Sequence, residues 1–271
     1  MPSLNLMVWN SRGENAAKAA FLQNLILNNP VVHGWQPDII AIQEALAAPG
    51  GALWAMLAGL GNVAGGNNYA LNPPQFVALQ GEGYILKVSN NVAFARAFQR
   101  VNLAGDAGVV NAINTQMGPN KPTAQQEVAA MRQPGDAVLT AGGRRIPFMT
   151  WHAPRGPGQL LHGPSAAVNY DAYYFLQSSN FYNGLCAPGA GNLSLIGGDL
   201  NVTPMDLAAP TGLPAPIDFL LPNWDGVSNG LDHLLARGDG GAGGIHYQHA
   251  GHHATGGLSD HDVLVATVHW P

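Results

Sequence analysis

Short apolar runs that stop abruptly at polar residues recur along this chain. Residues 4–9 form one such run and end at Asn10. Residues 38–43 form another, continuous in apolar character after Asp38, which predicts a strand buried on both faces. Between them Ala16, Ala19, Ala20, Leu22, Leu25 and Ile26 fall at helical spacing over residues 15–28, with Asn29-Pro30 expected to stop the helix. The opening therefore reads β-α-β.

Residues 52–60 read as a short helix and 61–75 as loop. Residues 83–88 and 92–97 read as two strands of a hairpin joined at Ser89-Asn90-Asn91. Residues 102–135 read as an irregular excursion. A second hairpin is expected from 137–140 and 146–151, turning at Ala141-Gly142-Gly143. A Pro/Gly loop over 153–164 precedes a helix over 166–178, in which Tyr170, Tyr173, Tyr174 and Leu176 are packing residues. Residues 193–196, 231–235 and 263–268 read as strands, and 238–257 as a Gly/His-rich loop. Strands come in adjacent pairs as well as alternating with helices. That suits sheets packed together with helices outside better than one parallel sheet.

Composition narrows the partners. A length of 271 residues fits one large domain or two small ones. Charged residues are 10% of the chain, and 35 Gly with 20 Pro argue for many turns and long loops. The formal net charge is -5, and only Lys18, Lys87 and Lys121 supply ammonium groups. Such a balance opposes tight, non-specific gripping of long nucleic acid, which uses a basic stripe. The lone Cys186 excludes an intrachain disulfide and reads as a small buried residue. No apolar run reaches the ~18 residues that span a membrane. The first residues, Met1-Pro2-Ser3-Leu4, read as the approach to a strand rather than as a secretion signal, and localisation stays open.

Five segments share one design, an apolar strand followed by polar groups: Trp9-Asn10, Gln43-Glu44, Trp151-His152, Gly198-Asp199-Leu200-Asn201 and Ser259-Asp260-His261. Strand ends are favoured ligand positions in α/β proteins. Carboxylate and amide oxygens suit a hard cation, which withdraws charge from phosphoryl oxygens. A carboxylate or imidazole can take a proton from water, and imidazolium, amide and guanidinium donors stabilise an anionic transition state. The pattern points to metal-dependent phosphoester hydrolysis. The His246, His249, His252 and His253 cluster reads as part of a flexible polar loop, with a second metal site as the alternative.

The order WN, PDIIAIQE, TWH, GGDLN, LDH, SDH resembles the endonuclease/exonuclease/phosphatase superfamily, the deoxyribonuclease I-like fold, from Trp9 to Val268. The opening WNSRGENAAKAAFLQNLI with PDIIAIQEA is similar to the catalytic B subunits of cytolethal distending toxins, as is the Arg-Pro stretch before TWHA. The resemblance implies an α/β (α+β) four-layer sandwich over residues 1–271, a single catalytic domain with two packed mixed β-sheets and helices on the outer faces. It implies Mg²⁺ (or Mn²⁺ or Ca²⁺) held by Glu44 with Asn10 beside it and Asp260 completing the metal or histidine side. It implies that Asp199 orients or deprotonates water, Asn201 holds a phosphate oxygen, and His152 and His261 flank the scissile phosphate. Asp232 would orient His261 and favour its imidazolium form, and Arg132 would bind phosphate. Which residue is the general base stays open. Many relatives carry Asp or Gln where this chain has Arg12, which is instead a candidate phosphate contact. No residue presents itself as the partner that orients His152. The implied substrate is DNA, as for a toxin-like endonuclease, with any toxin-type partner subunits not evident. The alternative is a phosphatase or phospholipase-type esterase on a phosphoinositide, sphingomyelin or another small phosphate ester, and a non-enzymatic scaffold is a third possibility.

Overall fold

The computed structural model of the chain describes residues 3–32, 35–46, 48–63, 66–79, 82–116, 123–130, 132–153, 193–201, 225–238 and 246–270. The expected helix over 166–178 and Cys186 lie outside the described residues.

Two six-stranded mixed sheets face each other. The first has the order β11 (His246–His253), β12 (Val263–His269), β1 (Ser3–Asn10), β2 (Ile39–Ala45), β4 (Glu82–Val88), β3 (Gln75–Leu79), the second β5 (Ala93–Arg100), β6 (Gly135–Ala141), β7 (Arg144–Thr150), β8 (Ser194–Asp199), β10 (Asp232–Arg237), β9 (Asp225–Asn229). Each is built around one parallel pair. In the first sheet β1 (Ser3–Asn10) runs parallel to β2 (Ile39–Ala45), linked by helix α1 (Ala16–Val32). In the second, β7 (Arg144–Thr150) runs parallel to β8 (Ser194–Asp199). The other neighbours are antiparallel: β12 (Val263–His269) on β1, β4 (Glu82–Val88) on β2, and β10 (Asp232–Arg237) on β8.

Side-chain alternation builds two layers of core. Leu6, Val8 and Ala41 from the first sheet meet Leu139, Phe148, Leu195 and Leu234 from the second. The opposite face of the first sheet, with Met7, Trp9, Ile40 and Ile42, packs on Leu22 and Ile26 of α1 and on Leu53 and Leu57 of α2 (Ala52–Gly59). Met149, Ile196 and Leu235 alternate out of the inner core yet are buried, so the second sheet is covered on its outer face as well. This is an α/β sandwich.

Several local expectations are corrected. α1 continues past Asn29-Pro30 to Val32; proline has no N–H to give the Ile26 carbonyl, which instead accepts from Gln36 Nε2 at 3.0 Å. β4 and β5 (Ala93–Arg100) are not a hairpin. The Ser89-Asn90-Asn91 corner carries the chain from one sheet into the other. Residues 102–135 hold α3 (Ala107–Gln116) and α4 (Ala124–Ala130). β3 (Gln75–Leu79) and β9 (Asp225–Asn229) arise in stretches read as loop or left unassigned. The supposed His-rich loop contains β11 (His246–His253), whose pairing with β12 supplies the order its composition lacks.

The glycines of the Gly197-Gly198-Asp199 run are demanded by packing. A Cβ on Gly197 would sit 2.7 Å from Val8 Cγ2 across the sandwich. A Cβ on Gly198, with φ 153°, would sit 2.2 Å from the backbone oxygen of Trp151. Backbone cannot yield there as a side-chain tip can. Gly198→Ala is therefore expected to lower stability by about 3 kcal/mol or more, read as a shift in the urea midpoint, on the usual cost of overpacking.

Candidate active site

The parallel pairs place four strand ends at one edge of the sandwich. Asn10 ends β1, Glu44 lies at the end of β2, Trp151-His152 follow β7, and Asp199 ends β8. Antiparallel neighbours bring their beginnings to the same edge: Asp232 pairs in register with Asp199, Glu82 starts β4, and Asp260-His261 precede β12. Of these, Glu44, His152, Asp199, Asp232, Asp260 and His261 line a cavity of about 520 Å³ together with Arg12, Arg132, Asn201, Asn229 and Asp262.

Asp199 is its centre. The residue is buried, and its Oδ1 accepts the Asn201 backbone N–H at 2.9 Å. Its Oδ2 accepts from Asn10 Nδ2 at 3.1 Å and lies 3.6 Å from the Nε2 atoms of both His152 and His261. The Asn10 amide also donates to Glu44 Oε1 at 3.0 Å, so one side chain ties two carboxylates together.

Each histidine has its own carboxylate behind it. His261 Nδ1 lies 2.8 Å from Asp232 Oδ2. Burial opposes charge on His261, but the hydrogen bond and field of Asp232, with Asp199 and Asp260 nearby, outweigh it and raise its pKa from 6.5 to about 9. Burial raises the Asp232 carboxyl above its ordinary value, tempered by His261. His152 Nδ1 lies 3.0 Å from Glu82 Oε2 and 3.2 Å from Glu44 Oε1. Glu82 is thus the partner that sequence reading did not find. Its only signal was an acid at the mouth of an apolar strand, and no motif marked it. Tyr84, two residues on, accepts the His152 backbone N–H at 2.9 Å.

Both tryptophans of the WN and WH dipeptides brace a residue opposite them. Trp9 Nε1 donates to the His261 carbonyl at 3.2 Å, and Trp151 Nε1 to the Arg132 carbonyl at 2.9 Å. Arg132 Nη1 lies 2.5 and 2.6 Å from the two ring nitrogens of His152. Ser259 Oγ donates to the Asn10 carbonyl and accepts the His261 N–H, joining the first strand to the last motif. Gln43, beside Glu44, reaches across the sandwich to Thr150 Oγ1 at 2.5 Å.

Two sequence-selected residues stand apart from the central cluster. Asp260 Oδ2 is ion-paired with Arg12, both side chains largely exposed, and Asp260 Oδ1 is 3.8 Å from His261 Nε2. Of the histidine cluster, His252 pairs with Asp262 at 2.7 Å on the rim. Among the described residues the non-glycine residues with positive φ are Arg12 (50°), Glu44 (51°) and Asn201 (55°), all lining the cavity. Backbone in that region costs of order 1 kcal/mol or more per residue and gathers at functional sites.

The lining suits a divalent cation. Among the described lining residues five carboxylates, from Glu44, Asp199, Asp232, Asp260 and Asp262, face two guanidiniums, from Arg12 and Arg132, and the His261 imidazolium. An anion entering meets net negative charge unless a cation is present. Ligand atoms of Glu44, Glu82 and His152 lie within 4.8 Å of one another, as do those of Asp199, Asp232 and His261.

No family profile and no curated protein matches this sequence. Solved structures do. Zebrafish (D. rerio) TDP2 complexed with a single-strand DNA product is 14% identical at a TM-score of 0.57, covering 99% of this chain and 100% of its own. The human Nocturnin catalytic domain, with bound sulfate, is 15% identical at 0.56, covering 100% and 94%. An endonuclease/exonuclease/phosphatase family protein from Bacteroides thetaiotaomicron is 13% identical at 0.55, covering 98% of both chains. The chain has the endonuclease/exonuclease/phosphatase fold.

The raised His261 pKa sets a pH dependence. Folded His261 binds its proton more tightly than unfolded histidine, so its contribution is complete below about pH 6.5 and lost as pH rises through about 9. At roughly 1.4 kcal/mol per unit, metal-free protein should lose up to about 3 kcal/mol over that window. Urea unfolding in EDTA measures this, and His261→Gln should flatten the profile.

Proposed function

We propose that this protein is a divalent-metal-dependent phosphodiesterase, in the first reading an endonuclease acting on DNA. The observation that carries the chemistry is the convergence of two carboxylate–histidine pairs, Glu82–His152 and Asp232–His261, on Asp199 Oδ2. In this reading Asp199 orients the attacking water and takes its proton, since its second oxygen is committed to Asn201. His261, held as imidazolium, donates to a phosphoryl oxygen, and His152 faces it from the other side. Asn201 spends one amide N–H on the Ala153 carbonyl at 2.7 Å and offers the second to phosphate. Arg132 and Arg12 add permanent positive charge. Mg²⁺ (or Mn²⁺ or Ca²⁺) held by Glu44 beside Asn10, with Asp260 at the margin, would supply charge withdrawal from the phosphoryl and leaving oxygens.

DNA as substrate is supported by the likeness of the opening motifs to the toxin B subunits and by the fold shared with TDP2, solved with a DNA product. One observation favours the second reading, a phosphatase or phospholipase-type esterase on a small or lipid phosphate. Lys18 and Lys87 are buried and donate to backbone carbonyls, while Arg144, Arg145 and Arg237 lie at the opposite ends of their strands from the site.

Supercoiled plasmid with Mg²⁺ separates the readings. Nicking is expected, abolished by EDTA and reduced at least about 100-fold in His261→Ala, on the usual worth of an acid–base group. Phosphate release from small esters with an inert plasmid would establish the second reading. Glu82→Gln should lower kcat about tenfold or more by releasing His152, with KM little changed, measured on whichever substrate is cleaved.

A further inference from the structure

The turn that carries Arg12 is held from outside. Arg12 (φ 50°) and Gly13 (φ 87°) are both left-handed, a conformation that glycine accepts and arginine resists. Lys18, in the first turn of α1, supplies the restraint. Its Nζ lies 2.5 Å from the Ser11 carbonyl, 2.8 Å from that of Arg12 and 3.2 Å from that of Gly13. An ammonium has three donors, and here three consecutive carbonyls take them. The lysine is 6% exposed, so water competes little.

The clamp is anchored at both ends. Asn15 Oδ1 accepts the Lys18 backbone N–H at 2.8 Å, capping the helix and fixing where the lysine starts. On the other side Ser11 N donates to the Gln43 carbonyl at 3.0 Å, and Gly13 N to the Glu44 carbonyl at 2.7 Å. The Arg12 side chain leaves the turn toward Asp260. Burial draws the Lys18 pKa down and Arg12 adds to that, while Glu44 and Asp260 pull it up, so the ammonium shares a field with the cavity acids.

We propose that Lys18 is a positioning residue for phosphate binding, a buried cation that folds the Ser11–Gly13 turn around itself so that Arg12 is presented at the mouth of the cavity beside Glu44. It touches no substrate and acts through Arg12. The inference rests on the reading of the cavity as a phosphoester site. Without the ammonium, three carbonyls lose their donor and Arg12 relaxes out of the left-handed region. Its guanidinium then swings away from Asp260.

The test is a double-mutant cycle. Inorganic phosphate is titrated calorimetrically, at saturating Mg²⁺, into the full chain as wild type, Lys18→Met, Arg12→Ala and the double variant. Each single change is expected to weaken phosphate about tenfold, the scale of a charge-assisted contact, and the double no more than about tenfold, because both remove the same contact. Amide exchange at Arg12 and Gly13 should quicken in Lys18→Met. A double variant weakened about a hundredfold, or a Lys18→Met protein that binds phosphate like wild type, overturns the proposal. If wild type neither binds phosphate nor cleaves a phosphoester, the phosphoesterase reading is lost instead. Amide exchange then decides the clamp alone, and unchanged rates in Lys18→Met overturn it. Should Lys18→Met not fold, Lys18→Gln, which keeps a neutral donor, goes through the same cycle.

Discussion

Two parallel strand pairs, β1–β2 and β7–β8, end at the same edge because interleaved apolar side chains lock their sheets face to face. The rest of the site depends on that packing. Gly197 admits Val8 where the sheets come closest, and Gln43 binds Thr150 across the gap. With the sheets so fixed, the ends of the central strands point their polar residues at one another. Antiparallel neighbours then deliver Asp232, Glu82 and the Asp260-His261 pair to the same place.

What gathers there is costly to hold. Carboxylates crowd around Asp199, and burying charge is unfavourable unless it is paired. The structure pairs it locally, with Asn10 between Glu44 and Asp199, and with His261 against Asp232. The two histidines are not equivalent. His261 stands between Asp232 and Asp199 and is driven toward the imidazolium form. His152 shares Glu82 with the guanidinium of Arg132, whose Nε lies 3.8 Å from Glu82 Oε1, and has Glu44 beside it as well. Excess negative charge in the cavity lining is what an incoming cation would neutralise, and it repels a phosphate until then.

Much of this was legible because the chemistry sits at strand ends, and strand ends are visible as the point where an apolar run meets a polar residue. Asn10, Glu44, His152 and Asp199 all stand at such points, whereas Ser259-Asp260-His261, expected to follow a strand, precede β12. Glu82 and Lys18 do not stand at such points either. Glu82 lies at the start of a strand, where an acid is unremarkable, and Lys18 falls in a helical first turn, where lysine ordinarily faces water. Their partners are 70 and five to seven residues away, and only the folded chain supplies them. The misread Ser89-Asn90-Asn91 corner has the same origin. Its turn chemistry is that of a hairpin, but Asp38 accepts from Ser89 and Asn91 and draws the corner out of the sheet plane.

By itself the sequence determined the strand and helix positions with strong periodicity, the packed-sheet class, and which side chains could do acid–base and cation chemistry, because each depends on neighbours within a few residues. Tertiary structure decided which acid serves which histidine, that Arg12 pairs with Asp260, that a lysine is buried beneath the first loop, and that the histidine-rich segment is a strand. Those outcomes depend on contacts that the local pattern does not set, most of them between residues far apart in the chain, where packing and electrostatics between sheets override local preference.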